Sequence, residues 1–134
     1  MTLASAISVI NWLEAVRPQR HLLYKLKETK KHLKDWTDEE KDAANKVTRQ
    51  FDILGVLEKL GYIEREFVDR FWAISVVEVW KLCEGWVENE RALRGPNHLW
   101  EFQQLAERVK QVRETHPAIT KGRWPKNPRK KLPT

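Results

Sequence analysis

FWAISVVEVWKLCEGW, residues 71–86, places three tryptophans within sixteen residues. Its reading decides the fold, because the rings are either a stacking platform for a ligand or the core of a helical domain. Trp72, Val76, Val79, Cys83 and Trp86 advance by four and three residues in turn, which traces one seam along an α-helix. Val77, Trp80 and Val87 widen the seam, leaving Glu78, Lys81, Glu84 and Glu88 a narrow polar face. A helix that is apolar over most of its circumference belongs at the centre of a domain. Each indole buries on the order of 150–250 Å², a few kcal/mol at ~25 cal/mol/Å². The rings therefore read as core, with Trp80 offset so that its edge reaches a groove.

Upstream, Thr37 and Glu40 in WTDEE form a capping box, and Asp38 and Glu39 set negative charge where a helix dipole favours it. The helix that starts there runs through Ala44, Val47, Phe51, Leu54 and Leu57 to Leu60, with Gly61 as its left-handed stop. Gly55 inside it costs about 1 kcal/mol relative to alanine, which predicts close approach by a neighbouring helix. Ser75 and Glu78 make a second possible capping box, so a break near Ala73 is expected, with one continuous kinked helix as the alternative. Downstream, Gly95 and Pro96 close the Trp-rich helix, and Asn97 is placed to cap the last one. That last helix carries Leu99, Phe102, Leu105, Ala106, Val109 and Val112 and ends at His116 and Pro117.

Toward the N-terminus, LASAISVINWL (residues 3–13) is apolar but well short of the roughly 20 residues that cross a bilayer. It reads as a helix packed on its own domain, with shallow contact to a membrane surface or a partner as the alternatives. Pro18 interrupts it and restarts a basic amphipathic helix over 19–34, with Leu22, Leu23, Leu26 and Leu33 on one stripe. The whole is an all-α, single-domain bundle of five to six helices over residues 1–116, followed by a flexible basic, Pro-rich tail over 117–134.

Charge is divided unevenly. Residues 1–34 hold seven Lys or Arg against Glu14 and Glu28, residues 35–116 hold seventeen acids against twelve Lys or Arg, and these two stretches cancel. The formal excess of +6 thus resides in the tail, in Lys121, Arg123, Lys126, Arg129, Lys130 and Lys131. With Trp124 among them, these residues suit phosphate contact and base stacking, an anionic membrane surface, or an acidic protein partner. One cysteine, Cys83, forms no intramolecular disulfide, and the reducing cytoplasm is the compartment this implies.

Catalytic signals are sparse. One Cys and the scattered His21, His32, His98 and His116 offer no metal-ligand spacing, and the dispersed glycines offer no phosphate cradle, so neither metal nor cofactor is implied. Acid pairs near helix starts are explained by capping, and Cys83 falls on the apolar seam. The one catalytic alternative is Arg91 and His98, with six residues between them, a spacing that resembles the motif of HEPN-type helical ribonucleases, with histidine moving a proton and arginine holding phosphate.

The ordered set WTDEE, AANKVTRQFDILGVLEKLGYI, VVEVWKL, ENERALRG and LWEFQQLAE resembles an uncharacterised bacterial family of small all-helical proteins, a domain of unknown function, over roughly residues 10–113. Trp36, Phe51, Asp52, Gly55, Gly61, Trp80, Arg91, Trp100, Phe102, Leu105 and Ala106 carry the resemblance. This chain has Gln103 where the family commonly has a carboxylate, and Phe51-Asp52 where Tyr-Asp is commoner. The resemblance implies a helical domain with no established activity, substrate or cofactor. The expectation is a non-catalytic interaction module whose basic tail is an electrostatic tether, with an RNA- or DNA-binding accessory protein and a HEPN-like ribonuclease as alternatives.

Overall fold

The computed structural model describes residues 1–115. The described residues form helices joined by short turns: α1 (Leu3–Glu14), α2 (Arg17–Thr29), a 3-10 segment (Leu33–Asp35), α3 (Asp38–Lys59), α4 (Arg65–Phe71), α5 (Ala73–Arg94) and α6 (Trp100–Thr115). α5 packs against α2, α3, α4 and α6, so the Trp-rich helix is central.

Local signals place most boundaries. The Thr37–Glu40 capping box forms in full, with the hydroxyl of Thr37 accepting from Glu40 N at 3.1 Å and the Glu40 carboxylate accepting from Thr37 N at 2.7 Å. Pro18 stands in the first turn of α2, where its missing N–H has no helical partner to lose. Gly61 adopts φ +83° after α3, the left-handed conformation that a side chain resists. α4 and α5 meet at Trp72, one residue before Ala73.

Val76, Val79 and Cys83 of the seam are fully buried, and Trp72 is 7% exposed at the α4–α5 joint beneath the Arg20 guanidinium, 4.8 Å from its ring centroid. Trp80 and Trp86 are half-buried against the core. Trp86 stacks on Trp36 at 6.5 Å, and Trp80 meets Phe102 edge-on at 5.2 Å. The indoles are thus spent on one another and on phenylalanine, a gain of ~1 kcal/mol per pair beyond burial.

Two expected caps are absent, for the same reason. Ser75 and Glu78 do not start α5. The Ser75 hydroxyl accepts from Tyr24 Oη at 3.0 Å, and Glu78 pairs with Lys27, so both residues tie α2 to α5. Nor does the Asn97 side chain cap α6. Leu99, which precedes that helix, is buried with φ +59°, and Asp52 of α3 accepts from Phe102 N at 2.9 Å. In both places a tertiary partner replaces the local one.

The α3–α6 crossing is a close one. A Cβ on Gly55 would lie 2.7 Å from the Glu101 carbonyl oxygen, and Phe51 meets Phe102 with ring centroids 5.6 Å apart. Farther along, Arg108 joins Glu58 at 2.6 Å and Asp69 at 2.8 Å, which links α6 to α3 and α4.

In an open helix Gly→Ala stabilises by about 1 kcal/mol. Gly55→Ala is expected to do the reverse, destabilising by ~1–3 kcal/mol through overpacking, and Asp52→Ala by about 1 kcal/mol through loss of the cap. Urea unfolding midpoints at constant m-value report both, and a stabilised Gly55→Ala would refute the close crossing.

Glu40 yields a pH prediction. Burial pushes its carboxyl up, but hydrogen bonds from Lys31 Nζ (2.8 Å), Thr37 N and the Thr37 hydroxyl, with the Lys31 charge, outweigh it and hold the group below its ordinary value. The unfolded chain then binds the proton more tightly, so the stabilisation is full above the unfolded value of about 4.3 and fades as pH falls through the folded one. The stability gap between wild type and Glu40→Gln should be constant near neutrality and close only in acid, as measured by denaturation at successive pH values.

Candidate functional site

Three places could carry function: the Arg91–His98 pair, the groups that line surface grooves, and the outward face of α1. In the first, Arg91 near the end of α5 donates from Nε to the carbonyl oxygen of His98 at 2.8 Å. The contact pins the Gly95–Leu99 connection against α5, using the backbone of His98 rather than its imidazole. Gly95 has φ +117° in that connection, which interrupts the helix on which the two residues would otherwise share a face. Arg91 is thus a strut for the loop that positions Leu99 and α6.

Cys83 is fully buried, and burial pushes its thiol up to about 12, away from thiolate chemistry. Arg108 and Glu58 border a groove of about 320 Å³ that also contains Gly55, Lys59 and Trp100, and Asp69 pairs with Arg108 at 2.8 Å. Burial raises the Glu58 carboxyl, against the opposing hydrogen bond and charge of Arg108. With one guanidinium shared by two carboxylates, the cluster is an inter-helix tie. Among the described residues no group of three or more His, Cys, Asp and Glu is arranged to hold a metal, and no helix is long and apolar enough to cross a membrane.

α1 is the exception to this inward use of side chains. Leu13 is its one fully buried residue, with Val9 and Trp12 packed partly against the core. Its last turn is fastened by Arg20, which donates to the Leu13 carbonyl, and by Gln50 Nε2, which donates to the Trp12 carbonyl at 2.7 Å. Leu3, Ile7 and Ile10, at helical spacing, stay 78%, 49% and 42% exposed. The expectation that residues 3–13 pack on their own domain thus holds for the face that carries Val9, Trp12 and Leu13.

Beside Ile10 the surface dips into a groove of about 430 Å³ between the α1–α2 corner and the α4–α5 joint. Its apolar wall is Ile10, Phe71 and Trp72, and its polar wall includes Arg17, Arg20 and His21. Phe71 is 65% exposed. Glu14 is the acid here, 3.5 Å from Arg20 and 3.7 Å from Arg17. The α1 apolar stripe was visible in the sequence; its direction was not. The tail residues Lys121, Arg123, Trp124, Lys126, Arg129, Lys130 and Lys131, with His116, lie outside the described residues.

Because Arg91 is a strut, Arg91→Ala is expected to lower the thermal midpoint by several degrees, the equivalent of a lost charge-assisted hydrogen bond of ~1.5–3 kcal/mol. His98→Ala, which keeps the accepting carbonyl, should leave the midpoint nearly unchanged. Equal stability of the two variants with loss of RNA cleavage in both would restore the ribonuclease reading.

Residues 4–109 match the family described as Domain of unknown function (DUF4760). No curated protein and no solved structure matches the chain.

Proposed function

Since the chain belongs to the DUF4760 family, whose description assigns no activity, we propose from its own residues that it is a non-catalytic helical interaction module. The observation that carries this reading is the outward apolar stripe of α1, where Leu3, Ile7 and Ile10 are exposed together at helical spacing. Groups with catalytic potential are engaged in support: Arg91 in a loop contact, Arg108 with Glu58 and Asp69 in a tie, and Cys83 in the core. Residues 117–134 act as the electrostatic tether, six cations without an acid, which draw an anionic partner toward the domain. The use of Arg91 and the His98 carbonyl weighs against the ribonuclease alternative.

The test uses a labelled single-stranded RNA as an anionic probe, read by fluorescence anisotropy across a salt series. The full chain is compared with a full-length variant in which Lys121, Arg123, Lys126, Arg129, Lys130 and Lys131 are all glutamine. Four to six phosphate contacts at about −0.7 each give a log–log salt slope of roughly −3 to −4. The expected result is that slope in the wild type, its loss in the variant, and RNA left uncut. Equal binding by both proteins would sink the tether, and turnover of the RNA would sink the non-catalytic reading.

A further inference from the structure

We infer that the outward face of α1 docks on the surface of an anionic lipid bilayer, an identification of the partner that rests on the interaction-module reading above. Leu3, Ile7 and Ile10 form the apolar stripe, and Phe71 continues it across the groove it shares with Ile10. This surface is a convex rod. A folded partner would need a groove matched to it, whereas the headgroup–acyl boundary accepts apolar side chains of a helix lying in its plane without a preformed shape. At twelve residues α1 is about 18 Å long, so it lies along the interface and does not span a core of ~30 Å.

Charge selects the sign of the lipid. α1 holds Glu14 as its one acid, and α2 and the segment after it supply Arg17, Arg20, Lys25, Lys27, Lys30, Lys31 and Lys34 against Glu28. Glu14 is neutralised by Arg17 and Arg20, while Lys27 and Lys31 are committed to Glu78 and Glu40. Lys25, Lys30 and Lys34 remain exposed farther along α2 and in the segment after it, Lys25 on a separate groove with Glu39 and Asp42, while Arg17, Arg20 and His21 border the groove beside Ile10. An apolar stripe whose end meets Arg17 and Arg20, in a segment (residues 1–34) with seven Lys or Arg against two acids, matches an anionic interface, where each basic residue near the surface adds to attraction. The same positive charge disfavours the chain's own basic tail as occupant of the face.

Cosedimentation of the full chain with vesicles of phosphatidylcholine, with and without phosphatidylglycerol, tests this against Leu3→Gln/Ile7→Gln/Ile10→Gln. That variant removes the apolar stripe and leaves every charge in place. The wild type is expected to pellet with the anionic vesicles and hardly at all with the neutral ones, and the variant to partition at least about tenfold less, with its far-UV circular dichroism unchanged. An environment-sensitive dye at Ser8→Cys, with Cys83 shielded in the core, should shift to the blue on adding anionic vesicles. The same dye at Glu88→Cys should not, and this reading holds even where the triple variant misfolds.

Undiminished pelleting of the folded variant would mean attraction by charge alone and overturn docking through α1. Absence of pelleting by wild type at low salt would overturn it as well. So would a concentration-dependent dimer, lost in the variant and indifferent to vesicles, because a second copy would then cover the face. None of these results bears on turnover, so the non-catalytic reading stands or falls separately.

Discussion

Glycine at position 55 lets the backbone of α6 approach α3 to a distance that no side chain permits, and the rest of the domain is arranged around that approach. The Glu101 carbonyl oxygen occupies the space of the missing Cβ. At that separation, Asp52, one turn earlier on α3, reaches the start of α6 and accepts from Phe102 N. Phe102 then faces both Phe51 and the edge of Trp80, which brings α5 into the same contact. A glycine, a carboxylate and three rings thus join α3, α5 and α6. Of the eleven positions that carry the resemblance to the family, Phe51, Asp52, Gly55, Trp80 and Phe102 make this contact. Phe51 is fully buried against Phe102, which gives a phenylalanine there a complete packing role without a hydroxyl.

Around this centre the polar side chains work mainly between helices. Tyr24 with Ser75 and Lys27 with Glu78 seat α2 on α5, Lys31 with Glu40 ties the end of α2 to α3, and Arg108 gathers Glu58 and Asp69. Such contacts between partly buried groups fix which helix faces meet more than they add stability, because each charge gives up hydration to make them. The Arg91–His98 contact serves in the same way, placing the loop that lets Leu99 enter the core. α1 falls outside this scheme: it is fastened at its last turn by Arg20 and Gln50 and before its first by the Met1 ammonium on Glu64, and it turns its apolar stripe outward.

Much of the architecture was legible because it is written in local pattern. The four-and-three spacing from Trp72 to Trp86 identifies the central helix, Thr37 with Glu40 starts α3, Gly61 stops it, and Gly55 announces a close neighbour. Reading failed where a polar residue had a choice between a local and a distant partner. Ser75 and Glu78 have capping-box spacing and bond to α2 instead, and Asn97 has a capping residue's position while Asp52 does the capping. Sequence spacing reports which bonds are geometrically possible. It does not rank them against partners that only folding brings near.

For the candidate surface the division is similar. Sequence alone determined that residues 3–13 form an apolar stretch too short to span a membrane, that cations cluster in 17–34 and beyond 117, and that metal-ligand and phosphate-cradle patterns are missing. Tertiary structure decided that the stripe of α1 faces outward, that Phe71 and Arg17 meet Ile10 at one groove, and that Arg91 is spent on a backbone carbonyl. The physical reason is that the hydrophobic effect sets how much apolar surface prefers to leave water without assigning a direction. Direction is fixed by steric fit among helices whose contacts, like that of Gly55 with Glu101, join residues far apart in the chain.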